Sequence, residues 1–260
     1  MATATQNATA KHLKSLHQRR NTPLVLPNVW DALTAQAVAE QPASEALATT
    51  SYAVAQAAGV SDEKLTLETN IAAVSAVAGV AARFNKPLTV DIQDGYGPLL
   101  EPAINALIDL GVAGVNLEDS ELATGDLYDE EEAASRIERA LKVARQRGVP
   151  DFVVNARCDV LTKDGGCLEE VLARGKRYLA SGATTVFVWG FKRGISRDEV
   201  VRMVEAFDGR LAVMAKMTPD GLRVRELADL GVARVSVGPS LMWAVSKTVH
   251  DEAGKLLVYA

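Results

Sequence analysis

Eight short runs of β-branched and small apolar residues recur along the 260-residue chain, separated by longer amphipathic stretches of helical period. Strand runs that alternate with helical patterns call for parallel strands whose crossovers are covered by helices. The runs are Pro23–Leu26, Ala46–Thr49, Pro87–Val90, Gly114–Leu117, Phe152–Ala156, Thr185–Val188, Leu211–Met214 and Arg234–Val237. Between them lie helical patterns such as Asn70–Phe84, Ala103–Leu110, Glu130–Gln146, Cys167–Ala180, Ser196–Phe207 and Pro219–Leu230. Eight such units favour a closed barrel over an open doubly wound sheet, and the length matches the roughly 250 residues of that fold. Gly111, Gly148, Gly182 and Gly231 each stand between a helical pattern and the next strand, where a left-handed helix stop needs no Cβ. Ala10 to Arg20 carries Leu13 and Leu16 at helical spacing, as a helix covering the barrel bottom would. The expectation is an α/β chain with one domain over residues 1–260, a (β/α)₈ TIM barrel with an N-terminal helix and a C-terminal helical segment.

Composition narrows the partners. The 48% hydrophobic and 23% charged residues suit one packed domain, and a net charge of −5 supplies no cationic field for nucleic acid or an anionic membrane. No apolar run approaches the ~20 residues of a membrane span, and the N-terminus lacks a hydrophobic signal core. Residues 1–21 hold Lys11, Lys14, Arg19 and Arg20 but no acid, a composition shared with transit peptides, although the helical spacing fits a barrel cover better. Two cysteines are too few for a disulfide framework and suit a reducing, cytoplasmic setting. The three histidines, His12, His17 and His250, lie in the terminal segments, which argues against a Ser-His-Asp triad or a His-rich zinc site.

In such barrels the chemistry sits just past the strands. Reading there gives Asn28, Trp30 and Asp31, then Thr50 and Ser51, Asp91 and Gln93, Glu118 and Asp119, Arg157 and Asp159, Trp189, and Lys216. Asp91, Glu118 and Asp119 would converge on a hard cation such as Mg²⁺, and the fork of Arg157 on the next strand suits a carboxylate or phosphonate. The bland alternative is that Arg157 only neutralises Glu118 or Asp119. Gathering so many ionisable groups at one rim is costly without a purpose, which favours a functional site. Cys158 should face away from Arg157 and Asp159 as a packed small hydrophobe, and Cys167 opens a helix without an evident role. Asp129, three residues before Glu132, reads as a helix cap, and Gly95-Tyr-Gly97 as a flexible turn beside the metal site.

Six stretches then carry a resemblance. Leu26-Pro-Asn-Val-Trp-Asp-Ala32, Ala48-Thr-Thr-Ser51, Asp91-Ile-Gln-Asp-Gly-Tyr-Gly97, Gly114-Val-Asn-Leu-Glu-Asp-Ser120, Asn155-Ala-Arg-Cys-Asp159 and Gly231-Val-Ala-Arg-Val-Ser-Val-Gly-Pro239 span nearly the whole chain. In combination they resemble the phosphoenolpyruvate mutase-like branch of the isocitrate lyase superfamily. The resemblance implies Mg²⁺ or Mn²⁺ and a 2-oxo acid or its enolate, with Asp91, Gln93 and Glu118 as metal residues and Arg157 as the substrate anchor. It implies substrate-binding roles for Trp30, Asp31, Thr50, Ser51, Tyr52 and Asn116. Asp62 matches a catalytic aspartate on a mobile loop, although by itself it reads equally as a turn residue. A homodimer or homotetramer built through C-terminal helices is also implied, and Leu241 to Val249 offers Trp243, Val245 and Val249 for it.

Two departures qualify what is implied. Gln93 stands where the family usually has a second acid, and the loop Glu121 to Tyr128 lacks the lyase branch's cysteine and histidine as well as the lysine and asparagine of a phosphonate-forming mutase. C–C cleavage of a small 2-oxo or 2-hydroxy acid through a pyruvate-like enolate remains the first expectation. Phosphonomutase or phosphonopyruvate hydrolase chemistry comes second, and a catalytically inactive metabolite-binding barrel third.

Overall fold

A computed structural model describes residues 2–215 and 221–258. The chain opens with α1 (Ala2–Leu16), β1 (Leu24–Leu26), β2 (Asn28–Val29), α2 (Ala32–Ala39), β3 (Leu47–Thr49), α3 (Ser51–Ala57), a 3₁₀ turn at Asp62–Lys64, and α4 (Leu67–Arg83). Then come β4 (Leu88–Asp91), α5 (Leu100–Asp109), β5 (Gly114–Glu118), α6 (Glu130–Gln146), β6 (Val153–Cys158) and α7 (Leu168–Ala180). The last third holds β7 (Thr185–Val188), α8 (Arg197–Ala206), β8 (Leu211–Met214), α9 (Val224–Asp229), β9 (Arg234–Ser236) and α10 (Ser240–Leu257). The expected helix start at Pro219 lies outside the described residues.

All strand pairs are parallel, in the order β1-β9-β8-β7-β6-β5-β4-β3-β2. Nine strands form where eight runs were expected, because the short strand β2 follows the first run beyond Pro27, which has no N–H to continue the ladder. Strand β1 pairs with β9 and β2 with β3, so the two flank the seam of a nearly closed barrel. Asn28 stitches that seam: its Nδ2 donates to Thr49 O (2.8 Å), and its Oδ1 accepts from the N–H groups of Val237 (3.1 Å) and Gly238 (3.0 Å).

The strands are buried on both faces, as a helix-covered parallel sheet requires, and their apolar residues share one core with the inner faces of the helices. Gly111, Gly148, Gly182 and Gly231 all have positive φ, so the helix stops read from sequence stand. Helix α1 plugs the barrel bottom through buried Ala10, Leu13 and Leu16, while Gln6 donates to Ile108 O (2.8 Å). No described helix is long and apolar enough to cross a membrane.

Candidate active site

Register fixes the neighbours at the mouth. Asp91 at the end of β4 stands beside Asn116 on β5, and Glu118 at the end of β5 stands beside Arg157 on β6. Arg157 forms an ion pair through Nη1 with Glu118 Oε2 (2.8 Å) and donates from Nε to Asp159 Oδ1 (2.8 Å), and its guanidinium lies 4.6 Å from the centre of the Trp189 ring. Burial works against that charge, but the Asp159 and Glu118 carboxylates outweigh it and hold the guanidinium firmly protonated. Its Nη2 has no partner among the described residues. Arg157 therefore does neutralise Glu118, and still keeps one donor for something else. Burial pushes the Glu118 carboxyl well above the usual range despite Arg157, with Asp159 and Asp91 adding to the rise.

A second group forms around Asp91. Its Oδ2 accepts from Ser51 N (3.0 Å), its own N–H donates to Thr49 Oγ1 (3.0 Å), and its carbonyl accepts from Asn70 Nδ2 (3.0 Å). Gln93, in left-handed backbone at φ 52°, donates its N–H to Asp91 Oδ1 (3.4 Å). The Gln93 Nε2 reaches the 3₁₀ turn and donates to Asp62 O (2.8 Å) and Oδ1 (3.1 Å), which folds Asp62 onto the mouth. Burial and the nearby Asp91 raise the Asp62 carboxyl to about 6. Of the expected residues, Ser51, Asp62, Asp91, Gln93, Glu118 and Arg157 are thus brought together.

Others are directed elsewhere. Asp119, expected beside the metal, points behind the sheet, because consecutive strand residues face opposite sides. There it accepts from Tyr178 OH (2.6 Å) and Asp159 N (2.8 Å) and lies 3.6 Å from Arg174, with burial raising it to about 6. It supports Arg157 through Asp159 and does not join the acids of the mouth. Asp31 caps α2, accepting from Thr34 N (2.7 Å), and the buried Trp30 packs with Ala53, Val54 and Leu65. Thr50 is the N-cap residue of α3, and the Tyr52 ring meets Trp243 of α10 edge-on at 6.3 Å. Asn116 stands in register with Asp91 and turns its Oδ1 inward, accepting from Asn155 Nδ2 (2.8 Å) and Arg234 (3.0 Å). Lys216 lies outside the described residues. Cys158 is fully buried, and that burial pushes its thiol up, which makes it a poor nucleophile.

Sequence reading missed Asn70, Asp94 and Arg234. Asn70 stands on the buried face of α4 and also donates to Tyr96 OH (2.6 Å). Asp94 ties the turn down by accepting from Tyr96 N (2.8 Å) and Tyr128 OH (2.9 Å), so Gly95 to Gly97 is an anchored turn and not the flexible one expected. A polar residue inside an apolar helical face was the one available signal for Asn70.

The donors at the mouth fit a hard cation. Asp91 and Glu118 are carboxylates, and Gln93 Oε1 is a buried oxygen without a hydrogen-bond partner. No three acids, histidines or cysteines among the described residues form a ready cation cage, so an ion here would keep several waters, as Mg²⁺ does.

The chain and its fold have counterparts among known proteins. Residues 13–257 match the model of the family described as phosphoenolpyruvate phosphomutase. An uncharacterized protein of Mycobacterium tuberculosis strain H37Rv is 33% identical over 218 residues, 83% of this chain and 78% of that one. A crystal structure from Burkholderia cenocepacia J2315, provisionally labelled a phosphonomutase, has a TM-score of 0.86 at 35% identity and covers 96% of this chain and 99% of that chain. Oxaloacetate acetylhydrolase in complex with oxalate has a TM-score of 0.84 at 25% identity, over 96% and 87% of the two chains.

Proposed function

Because the chain belongs to the phosphoenolpyruvate phosphomutase family, within a superfamily that holds lyases, mutases and hydrolases, we propose that it is a divalent-metal enzyme cleaving a C–C bond in a small 2-oxo or 2-hydroxy acid. The observation that carries this reading is the clamp on Arg157: two carboxylates and an indole face fix the guanidinium, and its Nη2 forms no hydrogen bond among the described residues. A fixed fork of this kind holds a carboxylate in one orientation.

Asp91, Gln93 Oε1 and Glu118 would hold Mg²⁺ or Mn²⁺, which when bound supplies Lewis-acid charge toward a developing enolate oxygen. Charge supports the need for it. Among the described residues, Asp62, Asp91, Glu118 and Asp159 gather around Arg157, and their mutual repulsion adds to the rise that burial gives Asp62 and Glu118, a crowding that a divalent cation would relieve. Arg157 then anchors the substrate carboxylate, and Trp189 keeps water from the guanidinium face. Asp62, whose carboxyl titrates at about 6, is placed to take or return the proton as the bond breaks. The loop Glu121 to Tyr128 folds on itself, with Glu121 N donating to Asp126 O (2.8 Å), and contributes no cysteine or histidine.

P–C chemistry on phosphonopyruvate is the second reading, favoured by the family match and by the 35% identical structure. Turnover of 2-oxo and 2-hydroxy diacids and of phosphonopyruvate, with Mg²⁺ or with EDTA, separates the two. The first reading expects a pyruvate-like product from a diacid, dependent on Mg²⁺. Turnover of phosphonopyruvate alone would transfer the assignment to P–C cleavage, and Mg²⁺-independent turnover would remove the metal from it.

A further inference from the structure

Among the buried arginines, Arg234 is the one without an ion pair among the described residues, with Asp91 acting on it only from beyond contact. Arg157 has two carboxylates. Arg174 has Asp119 and Glu170, and Arg136 has the carbonyls of Asp94 and Gly97 and the Tyr128 ring. Arg234 opens β9 inside the barrel at 1% exposure, in register with Leu24 and Ala212. It has no ion pair among the described residues, and its Nε and Nη1 have no hydrogen-bond partner. Only Nη2 is engaged, with Asn116 Oδ1 at 3.0 Å.

That single bond orients a side chain at the mouth. Asn116 Oδ1 accepts from Arg234 and from Asn155 Nδ2 (2.8 Å), while Asn155 Oδ1 is itself held by Thr185 Oγ1 (2.6 Å). With its oxygen claimed twice from within, the Asn116 amide turns its Nδ2 donor away from Arg234, on the residue that stands in register with Asp91. His17 adds no second positive charge beside it. Its Nδ1 contacts Leu13 O (2.8 Å), and burial keeps the ring neutral by lowering it to about 3. A buried guanidinium without a counterion is costly, and replacing such a charge by an apolar side chain is often neutral or stabilising. A fold that keeps one has a use for it.

We propose that Arg234 is a positioning residue of the mouth: by holding Asn116 Oδ1 inward, it fixes the Asn116 amide as a donor to an anionic ligand. The inference rests on the reading of the mouth as a divalent-metal oxo-acid site. It goes beyond that reading by assigning ligand affinity to a residue buried inside the barrel.

Oxalate, a planar dianion with the shape of a 2-oxo-acid enolate, is the probe. Melting and calorimetric titration with oxalate in excess Mg²⁺ are compared for the wild type, Arg234→Met, Arg234→Lys and Asn116→Asp. Without ligand, Arg234→Met should melt at or above the wild-type temperature, yet bind oxalate at least about tenfold more weakly. Arg234→Lys should recover part of the binding. Asn116→Asp, which gives Arg234 a carboxylate, should raise the melting temperature and abolish oxalate binding. An Arg234→Met protein that does not fold, or that melts lower with unchanged affinity, would make Arg234 a purely structural cation and overturn the proposal. Wild type that ignores oxalate in Mg²⁺ would instead remove the oxo-acid reading on which the proposal rests.

Discussion

Arg157 holds two buried acids and keeps a third direction open, so its removal should be read on two scales at once. Arg157→Ala should lower kcat/KM by about a hundredfold or more, the loss of roughly 3 kcal/mol from a charge-assisted anchor in a dry site. Excess Mg²⁺ should not restore it. The same change leaves Glu118, already raised by burial, without the attraction that opposes the rise. A carboxyl raised in the fold contributes stability at low pH that is lost as pH increases, so melting of Arg157→Ala should suffer more at pH 8 than at pH 5. Cys158→Ser, on the opposite face, should change kcat/KM little. At the barrel bottom, His17 gives the contrary slope. Its folded pKa of about 3 lies below the ordinary 6.5, so the unfolded chain binds the extra proton and stability falls with acidification between these values, by up to about 1.4 kcal/mol per pH unit. His17→Asn should flatten that part of the melting profile.

The barrel seam is held by one side chain as much as by strand pairing. Asn28→Ala would leave Val237 N, Gly238 N and Thr49 O without their partner, and should cost on the order of 3 kcal/mol in urea unfolding. Elements of this kind mark the limit of sequence reading. Thr185–Val188, Leu211–Met214 and Glu130–Gln146 were legible to the residue, because a two-sided buried strand and an amphipathic helix impose their periods on the chain. The short strand Asn28–Val29 beyond Pro27 was not, since it depends on the neighbour that those two residues find in β3. Asp91, Glu118 and Arg157 were legible as strand-end groups, and register made them neighbours. Asp119 was misplaced because the side it faces is set by one residue of alternation at the strand end. Gln93 was read as a metal residue in place of an acid, and its tether to Asp62 went unread because it depends on how two loops meet. Arg234 gave no signal, because its interest lies in lacking a partner.

On the scale of the molecule, α10 is the element that the chain's own core does not cover. None of its residues is buried, and Trp243, Val245, Val249, Leu256 and Leu257 are exposed on 18 residues of helix. Apolar surface of that extent suits an interface between copies, and light scattering at micromolar concentration should give a dimer or tetramer; a monomer throughout would count against it. Charge at the mouth makes the larger point. Among the described residues, four acids crowd one anchoring arginine, an arrangement that a divalent cation would convert into a better receptor for an anion, so enolate chemistry and metal dependence should appear together. The most direct measurement is exchange of the pyruvate methyl protons in D₂O, followed by proton NMR with the purified protein. The account predicts exchange above the buffer rate with Mg²⁺ that stops on adding EDTA and is absent in Arg157→Ala. Exchange that persists in EDTA or in Arg157→Ala, or no exchange at all with Mg²⁺, would contradict it.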